Sequence, residues 1–238
     1  EIVPGFGAKG MTWMRVAGGE LESNIVQFFS KDEQQAIRDT FGAEDGDVIM
    51  IIADSSYEIV TAALGQLRLH VAGRLGLIPE NTFAPLWVTD FPLFTATEEG
   101  VTSSHHPFTA PDRPDFDPAN RDELLSLKSR AYDIVVNGEE LGGGSIRIND
   151  RNVQWKIFKA LGLTPSQVEE KFGFFLRALD FGAPPHGGLA LGMDRVVSMI
   201  LQTASIREVI AFPKNRSAFC PLTQAPSPVA DEQLAELG

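Results

Sequence analysis

The residues best equipped for chemistry lie in Ala131–Ile148, AYDIVVNGEELGGGSIRI. Two carboxylates, Asp133 and Glu140, stand on either side of Asn137-Gly138, three glycines follow, and Arg147 comes after them. Asn-Gly between apolar runs is the strongest short signal for a two-residue type I′ hairpin. With Asn137 and Gly138 as the loop, Val136 faces Glu139, Val135 faces Glu140 and Asp133 faces Gly142. Facing residues share a sheet face, and so do residues two apart. Asp133, Glu140, Gly142 and Gly144 are therefore expected on one side, with Asp133 and Glu140 a diagonal pair about 7–8 Å apart. Carboxylates so placed suit a hard cation that also holds phosphate oxygens, as Mg²⁺ does. The glycines would leave a hollow beside them, since glycine has no side chain to fill a strand. Solvated carboxylates on an exposed face, with the glycines forming a bulge, fit the same pattern. Arg147 lies on the opposite face of a regular strand from Glu140. Either it is structural, or an extra residue between Gly142 and Arg147, most simply at a glycine, shifts the register.

A second constellation is GLALGMDRVVSM, in which Gly192 precedes a helix with Met193, Asp194 and Arg195 in its first turn. A cation there opposes the helix dipole and calls for an anion. Asp194 could supply it, or a phosphate bound at the helix start. The third is SSHHPFTAP: His105 and His106 in a polar loop are either solvated or donors to a bound anion. The chain has four histidines (His70, His105, His106, His186) and one cysteine, Cys220, without zinc-finger spacing. Cys220 reads as a small buried apolar residue, and a lone cysteine fits a reducing, cytoplasmic setting.

Strand and helix signals alternate through residues 1–86. MTWMRVAG reads as a strand and SKDE (Ser30–Glu33) as a capping box opening a helix to about Phe41. DVIMIIAD reads as a buried strand from its continuous apolar run, and SSYE (Ser55–Glu58) as a second capping box before a helix ending near Gly76. PENTFAPLW (Pro79–Trp87) reads as a linker, followed by the strand WVTDFPLF and a long polar loop from Thr95. Thr164, Pro165 and Gln167 open a helix running to Leu179. After it come a loop, a short strand, a helix from about Gly192, and the strand IREVIAFP. The expected organisation is a smaller α+β unit, 1–86, and an antiparallel sheet with flanking helices, 87–238.

Of 238 residues 43% are hydrophobic and 22% charged, the balance of a globular domain, and no apolar run reaches the length of a membrane span. The formal net charge of −12 argues against a chain whose main task is a non-specific grip on nucleic acid. The first residue is Glu1, not Met, and the opening EIVPGFGAKG reads as the interior of a longer sequence.

HHPFTAP, AYDIVVNGEELGGGSIRI, KFGFFLRALDFGAPPHGGLALGMDR and IREVIAFPK, in this order and spacing, resemble bacterial-type aspartyl-tRNA synthetases. The last segments are similar to motif 3 of class II synthetases, with GMDR where the family usually has GLDR. AKGMTWMRV through APLWVTDFPLF resembles the second part of that family's GAD insertion domain. The resemblance implies a partial class II antiparallel sheet, activation of L-aspartate with ATP, and transfer to tRNA-Asp. It implies that Asp133 and Glu140 hold Mg²⁺ and through it ATP, and that Arg147 pairs with the side-chain carboxylate of aspartate. His105 and His106 would lie over the aspartate, and Gly192, Met193, Asp194 and Arg195 would border ATP. Arg195 and Glu140 would be the catalytic pair, with Gly142–Gly144 the floor beneath the substrate. Glu139 stands where a tyrosine is frequent and is expected to point away.

The family's motif 1, a homodimer element, its motif 2, whose arginine grips the α-phosphate, and its anticodon-reading domain have no match in these residues. The chain is therefore expected to be the C-terminal part of a synthetase, inactive alone. A synthetase-like paralogue that binds nucleotide or amino acid without aminoacylation is one alternative. A tRNA-recruiting module is another, for which Asp133, Glu140, Arg147 and Arg195 would have no use. Strict tRNA-Asp charging and joint tRNA-Asp/Asn charging are not distinguished.

Overall fold

A computed structural model of the chain describes residues 2–237, and all strand pairings among the described residues are antiparallel. The chain divides into two units, 1–82 and 83–238.

In the first unit β1 (Thr12–Ala17) lies between β2 (Glu20–Glu22) and β3 (Val48–Ile51). Helix α1 (Lys31–Phe41) opens on the reciprocal box of Ser30 and Glu33 that SKDE predicts. Helix α2 (Tyr57–Arg74) starts one residue later than SSYE suggests. Ser56 is its cap, accepting from the Ile59 N–H at 3.4 Å, and the third helical residue is Ile59, so no capping box forms. Met14, Val16, Leu21 and Ile49 build one core, and Val3, Ala8, Ile52 and Ala63 a second. The apolar run of β3 misleads: Ile49 is 6% exposed but Met50 37%. Alternation sends every second residue to a face that nothing in this unit covers.

The second unit is built on a sheet in the order β4 (Pro85–Thr89), β7 (Ala131–Val136), β8 (Glu139–Ile146), β9 (Gly187–Leu191). Strand β4 crosses the boundary expected at 86/87. The break falls at 82/83 because the Ala84 N–H already bonds Asn137 Oδ1 at 2.9 Å, and Pro85 to Thr89 pair along β7. The last three residues of the supposed linker, Pro85–Trp87, are thus strand. The long polar segment after it carries a hairpin, β5 (Phe94–Ala96) with β6 (Val101–Ser103), and helix α3 (Arg121–Ser126). Phe94, Phe116, Leu124, Leu127, Ile148 and Ile157 close over one another and fix that segment.

Helix α4 (Arg151–Ala160) is capped by Asp150, and α5 (Pro165–Asp180) by the Thr164–Gln167 box. Between them lies a cluster of Phe158, Val168, Leu176 and Leu179, against which Phe108, Phe172 and Phe175 pack. Helix α6 (Met193–Leu201) follows β9, and α7 (Asp231–Leu237) ends the chain. IREVIAFP is not a strand. Ile206–Glu208 forms a 3₁₀ turn, its start capped by Ser205, whose hydroxyl accepts from the Arg207 N–H at 3.3 Å. β-Branched residues form strands only where a neighbour offers a ladder, and the described sheet ends at β9.

Asn137 and Gly138 form the β7–β8 turn with φ of 53° and 86°, the left-handed pair that a type I′ turn needs. Val136 faces Glu139 and Val135 faces Glu140, as expected, but Ile134 faces Gly142 and Asp133 faces Gly143. Leu141 is therefore the extra residue, one place before the interval in which a bulge was expected. The shift corrects the face assignment: Gly143, not Gly142 and Gly144, shares a face with Asp133. Gly142 and Gly144 admit the backbone of β9, since an added Cβ would stand 2.0 Å from the Ala190 carbonyl oxygen and 1.8 Å from that of Gly188. At Gly143 the added Cβ would meet Asp133 Oδ1 at 2.0 Å, the movable end of a side chain. Gly142→Ala is thus expected to lower unfolding free energy by about 1–3 kcal/mol, the overpacking range, and Gly143→Ala by clearly less. Urea denaturation of both variants measures the difference.

Candidate functional site

Counting Leu141 as extra, Asp133, Gly143, Ser145 and Arg147 fall on one face of the sheet, with Glu140 opposite Val135 on the same side. A cavity of about 220 Å³ opens there, lined by Asp133, Gly143, Ser145 and Arg147 and by His105, His106 and Thr109 of the loop. The loop is tied to the strand end: the Ala110 N–H donates to Ile146 O (2.9 Å), and the Ile148 N–H to Phe108 O (3.0 Å). Phe108 anchors it in the α4–α5 cluster, its ring centroid 5.0 Å from that of Phe175. Gln154, fully buried on α4, donates its amide to Pro107 O at 2.8 Å. Sequence and packing thus bring two distant stretches, 105–109 and 133–147, to one cavity.

The charges in the cavity are not matched in pairs. Arg147 joins no acid among the described residues; its Nη1 meets the ring of His106, at 3.1 Å from Nδ1 and in close contact with Nε2. Its backbone N–H donates to His186 O at 2.9 Å, which ties it to the turn before β9. His106 Nδ1 also accepts the Phe108 N–H at 3.1 Å. Removal of His106 from water, with Arg147 and then His105 nearby, holds its pKa below the ordinary imidazole value. His106 is thus half-buried and favoured in its neutral form, where the sequence left it as either solvated or a donor to an anion. His105 packs edge-on against Phe91 with ring centroids 4.9 Å apart. The Asp133 carboxylate has no hydrogen-bond or ion-pair partner among the described residues and occupies the room that Gly143 leaves.

A second group lies at the other end of β8. Arg195 donates through Nη1 to Glu140 O (2.7 Å) and Oε1 (3.3 Å), so Glu140, not Asp194, answers the cation in the first turn of α6. The Gly192 N–H is spent on the Leu141 carbonyl at 2.7 Å, and no side chain caps α6. Met193 and Asp194 are exposed at that helix start and do not enter the cavity. The bulge carbonyl thus fixes where α6 begins, and with it the reach of Arg195. Leu141, Thr109 and Ser145 were not singled out in the sequence. The register shift alone would have revealed Ser145, since it shares a face with Arg147.

The family profile described as tRNA synthetases class II (D, K and N) matches residues 17–216. The chain belongs to this class II tRNA synthetase family. An "Aspartate--tRNA(Asp/Asn) ligase 1" of Syntrophus aciditrophicus is 75% identical over 239 residues, covering 100% of this chain and 33% of its own length. An "Aspartate--tRNA ligase" of Geobacillus kaustophilus is 48% identical over 239 residues, covering 100% of this chain and 40% of its own. This class II chain spans between a third and two-fifths of the length of these relatives. Among solved structures, an aspartyl-tRNA synthetase from Entamoeba histolytica is similar over 80% of this chain and 32% of its own, at 22% identity and TM-score 0.44. No helix among the described residues is long and apolar enough to cross a membrane.

The lowered pKa of His106 makes a signed prediction. Unfolded imidazole titrates near about 6.5, and the folded group below that. The contribution of neutral His106 to stability is complete above the unfolded value and is lost as pH falls through the folded one. Unfolding free energy measured from pH 8 downward should stay level and then fall below about 6.5, more steeply in the wild type than in His106→Gln.

Proposed function

We propose that this chain supplies the aspartate-binding side and part of the ATP-binding side of an aspartate–tRNA ligase, which activates L-aspartate as aspartyl-adenylate and transfers it to tRNA-Asp. The observation that carries the reading is the face shared by Asp133, Glu140 and Arg147, restored by the extra residue Leu141. The 75% identity to a ligase across the whole chain supports it.

Arg147 is the reader of the substrate's side-chain carboxylate. Its guanidinium has no acid partner among the described residues, and the neutral ring of His106 leaves it free to take a bidentate anion. Asparagine would leave that cation unpaired, which is the stronger kind of discrimination. His105 and His106 close the cavity over the amino acid. At the other end, the uncapped start of α6, from Gly192 through Met193 and Asp194, and the Arg195 guanidinium border the phosphates. Adenylation is an in-line attack of the α-carboxylate on the α-phosphorus, and positioning with charge neutralisation is most of such catalysis.

Asp133 and Glu140 fit the Mg²⁺ that accompanies ATP: both offer hard oxygens, both lie on one face, and the Asp133 carboxylate is unpartnered. Bound there, Mg²⁺ would draw charge from the phosphates. Glu140 must then loosen from Arg195, and both side chains are about half exposed, at 56% and 48%. An exposed pair of that kind holds by only about 0–1 kcal/mol, so a phosphate that engages Arg195 can release it. ATP, L-aspartate and tRNA-Asp are the proposed partners, and pairing with a second copy is proposed for the intact ligase.

The test is a ligase in which this chain replaces the matching third of its Syntrophus relative. Aspartate-dependent ATP–pyrophosphate exchange by this chimera is the expected result, and exchange driven by no amino acid would overturn the reading. In it, Arg147→Lys should cost about 2–4 kcal/mol in kcat/KM for aspartate, the range for breaking a partly buried charged pair, with the KM for ATP little changed. Unaltered aspartate kinetics would exclude Arg147 from this role. The isolated chain should exchange on the order of 10²–10³ more slowly than the chimera or less, because the family's α-phosphate arginine belongs to a motif these residues do not match.

A further inference from the structure

Gln154 is wholly buried, at a place on α4 where a helix facing two cores would ordinarily carry an apolar side chain. Residues three and four apart share a helix face. That face of α4 is Gln154, Ile157 and Phe158. Ile157 enters the cluster of Phe94 and Leu127, and Phe158 the cluster of Leu176 and Leu179. The amide between them is only half answered. Its Nε2 donates to Pro107 O at 2.8 Å, while Oε1 is buried without a hydrogen-bond partner among the described residues. The desolvation of an unmade acceptor outweighs the net return of one hydrogen bond. The two cores therefore gain nothing from this amide that an apolar side chain of the same length would not give them.

The loop over the cavity does gain from it. Upstream, the Ser104 N–H donates to Leu93 O at 3.0 Å, and downstream the loop is tied to the end of β8 through Ala110 and Ile148. Between these ties, the Thr109 N–H reaches His106 O at 3.3 Å, a bond inside the loop. Among the described residues, the donation from Gln154 is the only hydrogen bond that reaches the backbone of His105, His106 or Pro107 from another element. Proline has no N–H, so its carbonyl is the one backbone group by which Pro107 can be held. Pro107 is half-buried, so a loop released by Gln154 can shift outward and give that carbonyl to water. The anchor itself is stiff. Asp150 Oδ1 takes the Asn152 and Val153 N–H groups at 2.7 and 3.1 Å, and the Gln154 N–H donates to Asp150 O at 3.0 Å.

We infer that Gln154 is a positioning residue: a core amide kept for the site, which through Pro107 O fixes where His105 and His106 stand over the cavity and adds nothing to folding stability. It does not touch the substrate. The link to aspartate binding rests on the proposed function; the placement of the loop and the stability do not.

Two measurements on this chain test the inference apart from that reading. The His105 and Phe91 rings, 4.9 Å apart, should give a nuclear Overhauser contact in the wild type that weakens in Gln154→Met and Gln154→Leu. Both variants should unfold in urea at or above the wild-type midpoint, as expected of a residue retained for function rather than stability. A contact kept at wild-type strength in both, a lowered midpoint in both, or failure of both to fold overturns the inference. If one variant alone misfolds, the other decides. In the chimeric ligase, Gln154→Met should raise the KM for aspartate about 3- to 10-fold, the worth of one hydrogen bond, with the KM for ATP unchanged. An aspartate KM that stays, or one that rises together with that for ATP, overturns the positioning role. A chimera without aspartate-dependent exchange would sink the proposed function and leave the ring contact and the urea midpoint to judge Gln154.

Discussion

A strand alternates its side chains, so two residues seven apart cannot share a face unless one extra residue is inserted between them. Glu140 and Arg147 are seven apart, and Leu141 is that residue. The bulge has two consequences from one distortion. Downstream it turns Gly143, Ser145 and Arg147 toward Asp133, which creates the cavity. At the bulge itself the Leu141 side chain is buried, and its carbonyl takes the Gly192 N–H at 2.7 Å. That bond sets the first turn of α6 and carries Arg195 to Glu140. Removing the extra residue would reverse the cavity face and cut the tie to α6 together.

The glycines answer to the same geometry. A run of three invites the reading of an empty floor, yet they serve two neighbours. Gly142 and Gly144 let the backbone of β9 come close on one side, where Tyr132 covers Gly144 and donates its hydroxyl to Gly188 O at 2.9 Å. Gly143 makes room on the face it shares with Asp133, and the Asp133 carboxylate fills it. Close strand packing and a free carboxylate therefore come from adjacent residues with opposite tasks.

Much of this could be read before the structure. The Asn137-Gly138 turn, the capping boxes at Ser30 and Thr164 and the antiparallel α+β build follow from local rules that tertiary context did not override. Parity left Arg147 either structural or behind a bulge, and the resemblance favoured the bulge; its position stayed open, because any one extra residue from Leu141 to Ile146 restores the same parity. What chose Leu141 is a partner 51 residues away, Gly192, with an amide to give. IREVIAFP failed as a strand for a related reason: propensity was present and a neighbouring ladder was not. The pairing of Arg195 with Glu140 rather than Asp194 was hidden likewise, since a helix-start arginine can reach across to the next strand as easily as to its own neighbour. The preference of His106 for its neutral form depends on its burial and on Arg147, neither of which a loop sequence displays.

The two ends of the proposed site are held by unlike means, and the difference bears on what each could do. Around Arg147 the supporting contacts are largely buried: the loop is pinned by Phe108 and Gln154, and the buried Thr109 hydroxyl meets Ser145. A group held so firmly cannot adapt to a ligand of different shape or charge, and that rigidity is what discrimination between a carboxylate and an amide requires. Around Arg195 the one ion pair is exposed, so it exchanges partners at little cost. In the proposed adenylation, phosphates that enter as a triphosphate and leave as pyrophosphate would need such a partner more than a fixed one. Selection at the buried end and turnover at the exposed end would then share a single strand, β8, whose extra residue joins them.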